Sequence, residues 1–349
     1  MSVTLKEIAE LAGVSVGTVS KVLNNKGRIG TEVSEKIRRI TRELDYQPNS
    51  LAISLSARKR TRKIAVILHV MDNYVVSNLV KGINAAEKEL KESGIEVSIR
   101  QCPDYDSDRQ LALLDQAVEE HCDGIIIIPI NSDKIRNRIN ELYEQQFPVI
   151  LLTSMLEHTN YLAYVGRDYK KAGLLSGAVV DLLGCSKKDI AIFIPNKTML
   201  SNDVKLDYML QRLHENKNNT IGVVSELPND EIHSYLSVKQ CLDAYPAINT
   251  VIYATSATQG GLQAVLEAEK KRRLMVVTTG MNEMTKKGFK EGLVQAAVVE
   301  KDFFQGTFVM KVMAEHLING SIKRNSNFFS KSEILLKENV EDFENELTL

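Results

Sequence analysis

The most constraining stretch of this sequence is Gly124-Ile125-Ile126-Ile127-Ile128-Pro129-Ile130, which contains no charge. Apolar β-branched residues in unbroken succession, with no polar residue at alternate positions, describe a strand buried on both faces. Strands of that kind belong to parallel sheets covered by helices on both sides. Similar strand-like runs recur at 64–68, 96–100, 149–152, 190–194, 222–226, 250–254 and 275–279. Leu79, Ile83, Ala86 and Leu90 fall between the first two at helical spacing, and Gly94 ends that helix. Leu111, Leu114 and Val118 mark the next helix. Residues 63–349 are too many for one unit of this type, so two α/β subdomains are expected.

The first sixty residues read differently. Thr4-Leu5-Lys6-Glu7 fits a capping box, and Ile8 and Leu11 give that helix an apolar stripe. Gly13 ends it, and Val14 can pack beneath the turn. Ser15 is a good N-cap for a second helix, from Val16 to about Leu23, burying Val19, Val22 and Leu23. Two short helices joined by a glycine turn match a helix-turn-helix. A third helix starts near Thr31, buries Val33, Ile37, Ile40 and Leu44, and stops at 45–48. The second helix offers Thr18, Ser20 and Lys21 to phosphates or base edges. After Pro48-Asn49, a short segment carries Leu51 and Leu55 on one face and leads into Arg58-Lys59-Arg60-Thr61-Arg62. An apolar side chain beside such a basic cluster can wedge between base steps of a minor groove; alternatively, the leucines dock on the next domain.

Charge separates the two regions. Residues 1–62 hold twelve Lys/Arg against six Asp/Glu, +6, which leaves −7 for the remainder of a chain whose net charge is −1. A basic head on an acidic body is expected to meet a polyanion through the head alone. The N-terminus shows no signal-peptide stretch, since Lys6, Glu7 and Glu10 interrupt it, and no run has the length of a membrane span. Cys102, Cys122, Cys185 and Cys241 form no CxxC pair, which favours reduced thiols in a cytoplasmic protein over disulfides or zinc. The six histidines are scattered, and HExxH, GxSxG, P-loop and GxGxxG are all missing. Glu119, Glu120 and Asp302 read as solvated helix residues. No enzyme, metal or cofactor is therefore expected.

The segments Val3–Ala9, Ala12–Ser15, Thr18–Asn24 and Leu44–Asn49 closely resemble the DNA-binding head of the lactose-repressor (LacI) family. By that resemblance Val16, Gly17 and Lys21 occupy the base-reading positions. Thr18, Ser20 and Asn24 would hold phosphates, and Leu55 would be the wedge of a hinge helix; Thr4, Ser15, Arg28, Asn49 and Ala52 complete the expected DNA-binding set. Lys21 stands where the family usually has Arg, and lacks its bidentate fork for guanine. Asp123–Ile127, Phe147–Ile150, Tyr164–Tyr169 with Ala172-Gly173, and Gly280–Asn282 are similar to the periplasmic sugar-binding-protein fold of the family's core.

The resemblance implies a small all-α helix-turn-helix head (1–47), a hinge helix and linker (48–62), and a two-subdomain α/β core with parallel sheets of the periplasmic binding protein type I-like class (63–349). The N-subdomain would comprise about 63–160 and 286–320, and the C-subdomain about 161–285 and 321–349, with crossings near 160, 285 and 320. It also implies a homodimer on near-palindromic double-stranded DNA, acting as a repressor tuned by a small, carbohydrate-related effector in the interdomain cleft. Expected cleft residues are Asp72, Asn73, Thr153, Lys205, Ser256, Asn282 and Glu300. Val75 and Val76 replace stacking aromatic rings, Thr153-Ser154 a frequent Asp-Arg, Lys205 an Arg, Asn282 an Asp, and Glu300 a Gln. Loss of those carboxylates, with Lys205 retained, points to an anionic or strongly polar ligand. The alternatives are a core that answers to a protein partner or to no small molecule, and a transport component, which the basic head argues against. Leu55→Ala should weaken specific DNA binding much more than non-specific binding and reduce operator bending. If Leu55 instead packs on the body, the variant loses melting temperature and keeps its DNA specificity.

Overall fold

The computed structural model describes residues 5–23, 29–44, 61–69, 73–102, 105–184, 187–195, 200–228 and 230–345. The head is three helices, α1 (Leu5–Ala12), α2 (Val16–Leu23) and α3 (Thr31–Glu43). Gly13, at φ 72°, ends α1: Val14 N–H donates to Ala9 O at 3.0 Å and Gly13 N–H to Glu10 O at 3.2 Å. That paired pattern turns the chain sharply and caps two carbonyls. Lys36 Nζ then reaches from α3 to Ala12 O, 3.0 Å away, tying the third helix to the end of the first. The core of the head comprises Ile8, Ala9, Ala12, Val19, Val22, Ile37 and Ile40, with Val14 packed beside it. Leu11, read from sequence as part of the buried stripe, is exposed. The inward face of α1 follows Ile8, Ala9 and Ala12, which leaves position 11 on the outer side. Thr4, Asn24, Arg28, Asn49, Ala52 and Leu55, and the hinge as a whole, lie outside the described residues.

The core contains two six-stranded sheets. The first comprises β1 (Arg62–His69), β2 (Ile95–Cys102), β3 (Gly124–Ile127), β4 (Val149–Leu152), β5 (Ala163–Arg167) and β11 (Ser326–Ser330), ordered β11-β5-β4-β3-β1-β2 and wholly parallel. The second comprises β6 (Lys188–Ile194), β7 (Asn219–Glu226), β8 (Thr250–Tyr253), β9 (Met275–Thr278), β10 (Ala296–Glu300) and β12 (Ser332–Leu335), ordered β12-β10-β9-β8-β6-β7. Only β12 is antiparallel to its neighbour. The strands read from sequence all appear, within a few residues at their ends. As expected for parallel sheets, helices cover both faces.

On the first sheet, α4 (Asn73–Leu90) and α12 (Asp302–Asn319) pack one face, and α5 (Ser107–Glu119) and α6 (Asp133–Glu144) the other. On the second, α7 (Tyr169–Leu182) and α8 (Leu200–His214) oppose α9 (Glu231–Ala244), α10 (Gln259–Glu269) and α11 (Glu283–Lys290); α13 (Val340–Asn345) closes the chain's described part.

The crossings differ from the sequence reading. The chain changes sheets after Arg167, after Glu300 and after Ser330, so β5, β10 and β11 fall on the opposite side of the boundaries placed near 160, 285 and 320. Those three strands, with β12, were the ones not read from sequence. Gly and Arg interrupt β5, Ala296-Ala297 opens β10 without a β-former, and β11 is a polar edge strand alternating half-buried and exposed residues. Since α12 follows the second crossing, its seat on α4 sets where that crossing lies. Gly82 and Gly306 let the two helices approach: a Cβ on Gly82 would collide with the backbone of Phe303 and Thr307, and one on Gly306 with that of Leu79 and Ile83. Gly306→Ala should therefore cost about 1–3 kcal/mol through overpacking, measured by denaturant unfolding of the full chain, although alanine is the better helix former.

Candidate functional sites

Two surfaces carry the chemistry. On the head, Ser15 Oγ accepts a hydrogen bond from Thr18 N–H at 3.1 Å and lies 2.9 Å from Thr18 Oγ1, fixing the first turn of α2. With Val19 and Val22 buried, the helix turns Val16, Gly17 and Lys21 to solvent, while Thr18 and Ser20 are half-buried. The outward face thus begins with small side chains and ends with a cation one turn later. That arrangement lets a helix N-terminus approach a base-pair edge while Lys21 offers a long, flexible donor.

The second surface lies where the carboxyl ends of the two sheets meet, the usual ligand position of open α/β sheets. It holds Thr153 (after β4), Ser256 (after β8), Asn282 (before α11), Glu300 (end of β10) and Lys205, which sits inside α8 and not in a preceding loop. Asn73 to Val76, expected as a loop, form the first turn of α4; Val75 is buried, and Asp72 lies outside the described residues. Sequence reasoning missed Asn78, Arg167, Tyr169 and Phe343, while Tyr74 falls within the stretch it marks for the cleft. Tyr74, on a helix of the first sheet, packs against the hydrophobic core of the second. Its neighbours Val75 and Val76 stand where the sequence pattern places lost stacking rings.

Most polar groups here are already satisfied by the protein. Asn282 Oδ1 accepts from Thr285 N–H at 2.8 Å as the cap of α11, and its Nδ2 donates to Ala257 O at 2.9 Å. Ser256 Oγ donates to Met281 O at 3.3 Å. Thr153, in the left-handed region at φ 56°, presents its carbonyl to two phenols: Tyr164 Oη at 3.1 Å and Tyr169 Oη at 2.7 Å. The second of these bonds joins the helix after the first crossing to the end of β4. Burial raises both phenols above their ordinary value, so both remain donors at neutral pH.

Arg167 forms the centre of the charge arrangement. Its Nε lies 3.1 Å from Glu300 Oε2 and its Nη2 2.8 Å from Asp302 Oδ1. Asp302, read from sequence as a solvated helix residue, is 6% exposed; the guanidinium of an earlier strand is what permits a carboxylate there. Tyr74, Asn78, Arg167, Gly280, Met281, Val299, Glu300, Asp302 and Phe343 surround a space of about 10 Å³, room for about one water. Lys205 Nζ donates to Ala254 O at 2.5 Å and to Thr279 Oγ1 at 3.0 Å. Burial, and then the charge on Arg167, lower its ammonium from an ordinary 10.5 to about 7, with Glu300 opposing the change.

That lysine supplies a signed pH test. Between about 7 and 10.5 the unfolded chain binds a proton at Lys205 that the native chain does not, so native stability rises with pH across that window. Below about 7 both states are charged and the full cost of burial is present. Lys205→Met should stabilise the protein by on the order of 2 kcal/mol at pH 6, the relieved charge burial less two lost hydrogen bonds. The gain should shrink steadily toward pH 10 in thermal melts; a gain independent of pH would contradict this assignment.

Comparison with known proteins matches the head and the two-sheet core. Residues 64–321 match the model of the periplasmic binding protein domain, and residues 4–49 that of bacterial regulatory proteins of the lacI family. Catabolite control protein A of Priestia megaterium is 31% identical over 191 residues, 55% of this chain and 54% of that protein. The transcriptional regulator DegA of Bacillus subtilis is 31% identical over 154 residues, covering 44% of each chain. The chain thus spans about half the length of these two relatives. The sucrose operon repressor of Staphylococcus xylosus is 26% identical over 262 residues, 72% of this chain and 75% of that one. Among solved structures, a glucose-galactose binding protein from Geobacillus stearothermophilus shares the fold at a TM-score of 0.72 and 19% identity, covering 80% of this chain and 99% of its own. A protein described as a LacI transcriptional regulator from Bacteroides fragilis does so at 0.71 and 19%, covering 81% and 99%. The relatives are regulators, not enzymes.

Proposed function

Because the chain belongs to the lacI family of bacterial regulatory proteins and carries a periplasmic-binding-protein core, we propose that it is a sequence-specific DNA-binding repressor whose two-subdomain core adjusts operator affinity. The observation that carries this reading is the face of α2. Val16, Gly17 and Lys21 are turned outward by a helix whose other side is sealed against α1 and α3. Ser15, Thr18 and Ser20 flank that face as phosphate contacts. Thr4, Asn24, Arg28, Asn49, Ala52 and Leu55 join them by resemblance alone.

A single head covers too little DNA for typical specific affinity, so the working unit is a homodimer on a near-palindromic operator. The C-subdomain offers material for such a pairing. Ile232 and Leu236 on α9 and Leu266 on α10 are large apolar side chains left exposed, Ile232 by 72%.

The core's effector is a small polar molecule of carbohydrate type held between the sheets. Lys205 is committed to two internal acceptors and has a depressed pKa. That disposition favours a neutral polyol over the anion expected from sequence. A core that responds to no small molecule is the second reading, and the internal pairing of Arg167, Glu300, Asp302 and Asn282 favours it. A thermal-shift series of the full chain with sugars, polyols and sugar phosphates separates the two, since a ligand of the native state raises its melting temperature. Operator binding should weaken steeply with salt, with a log–log slope of about −0.9 per phosphate neutralised by Lys21, Arg28, Arg58, Lys59, Arg60 and Arg62. A chain starting at Lys63 that binds operator as well as the full protein would contradict the assignment.

A further inference from the structure

The three crossings between the sheets converge on one set of polar side chains. Arg167 ends β5 before the first crossing, Glu300 and Asp302 flank the second, and Ser332 follows the third. Ser332 Oγ donates to Glu300 Oε1 at 2.9 Å, Ser330 Oγ to Gly166 O at 3.2 Å, and Lys301 Nζ lies 3.3 Å from Glu333. Within the group around Arg167, the three polar contacts differ in what they join. Arg167 and Asp302 both belong to the first sheet's subdomain, since α12 packs there. Glu300 and Ser332 both belong to the second, on the paired strands β10 and β12. Of these three contacts, the Arg167–Glu300 pair is the one that passes from one subdomain to the other. Each partner is therefore aimed by a residue of its own side.

We propose that Arg167–Glu300 is a hinge latch, an internal ion pair that holds the two subdomains closed without a ligand and whose rupture is the opening step of the core. Its two halves make it releasable. On opening, Arg167 keeps Asp302 and Glu300 keeps Ser332, so neither charge is left bare, which is what makes breaking most buried pairs so costly. Closed, the pair is screened from water: the Arg167 side chain is 14% and that of Glu300 2% exposed. Charges in that setting attract far more strongly than at the surface. Tyr74, reaching from α4 into the opposite core, and the Tyr169–Thr153 bond close the same seam. The latch itself follows from the hinge geometry alone; only its effect on DNA rests on the function proposed above.

The test uses the full chain and guanidinium ion as a probe. Arg167→Ala removes the cation and leaves two buried carboxylates that had shared it. It should lower the melting temperature by on the order of 5–15 °C and increase the radius of gyration in solution scattering. Low-millimolar guanidinium chloride should restore both in the variant and change neither in the wild type, with sodium chloride as control. Should Arg167→Ala fail to fold, Arg167→Ala/Glu300→Gln/Asp302→Asn removes the carboxylate repulsion as well. That variant should fold, remain expanded and ignore guanidinium. The latch is overturned if Arg167→Ala, or the triple variant, is as compact as the wild type. It is equally overturned if guanidinium acts alike on variant and wild type. A core that opens in the variant with no change in operator affinity would leave the latch intact and remove the proposed control of DNA binding.

Discussion

The contact on which the rest of the core depends is the pairing of Arg167 with Glu300 across the crossings. Two largely parallel sheets, each covered by helices on both faces, could sit at many angles if joined only by three short connections. Here the connections are tied side by side, and a guanidinium with a carboxylate on either side of the hinge makes one angle preferred. The desolvation cost of this pair is large, so its presence in the interior is poor evidence for stability as such. It is better evidence for a chosen geometry, since an apolar contact would hold the halves together with less regard to angle. The Gly82–Gly306 approach of α4 and α12 belongs to the same design: it fixes the helix that delivers Asp302, and Asp302 in turn orients Arg167.

The cleft polar groups divide by what they have lost to the protein itself. Asn282, Ser256 and Thr153 serve caps and tyrosine hydroxyls, and Lys205 serves Ala254 and Thr279. A ligand entering here must compete with internal partners that are already well placed, and affinity then depends on what the open form exposes. That situation suits a regulator, where a modest difference between two states of about 1–3 kcal/mol suffices to alter operator affinity five- to 150-fold.

Much of the fold was legible because parallel strands buried on both faces write themselves as unbroken apolar runs. Six of the eight strands read from sequence are such runs, the edge strands β2 and β7 alternate in burial instead, and all eight are present, as is the glycine turn that folds α1 onto α2. What escaped was of three kinds. Strands β5, β10, β11 and β12 are short, interrupted or polar, since they border the hinge and carry residues that must pair across it. Leu11 illustrates a different limit, because Ile8 and Ala12 can form the inward face only by leaving position 11 outside. Asp302 shows the third: a charged side chain looks solvated in sequence unless its partner, here 135 residues away, is known. The outward side of α2 was legible because it needs only local periodicity.

The most direct test of the latch as a regulatory element is a double-mutant cycle read by operator affinity, comparing wild type, Arg167→Met, Glu300→Gln and the double variant. If the pair acts as one device, each single change moves the operator Kd in the same direction and the double change moves it no further than the larger single change. The coupling then equals most of a single effect, well beyond the 0.3–0.5 kcal/mol to which independent sites usually add. Effects on log Kd that simply sum, or operator affinities that stay equal at all four corners, would contradict the account.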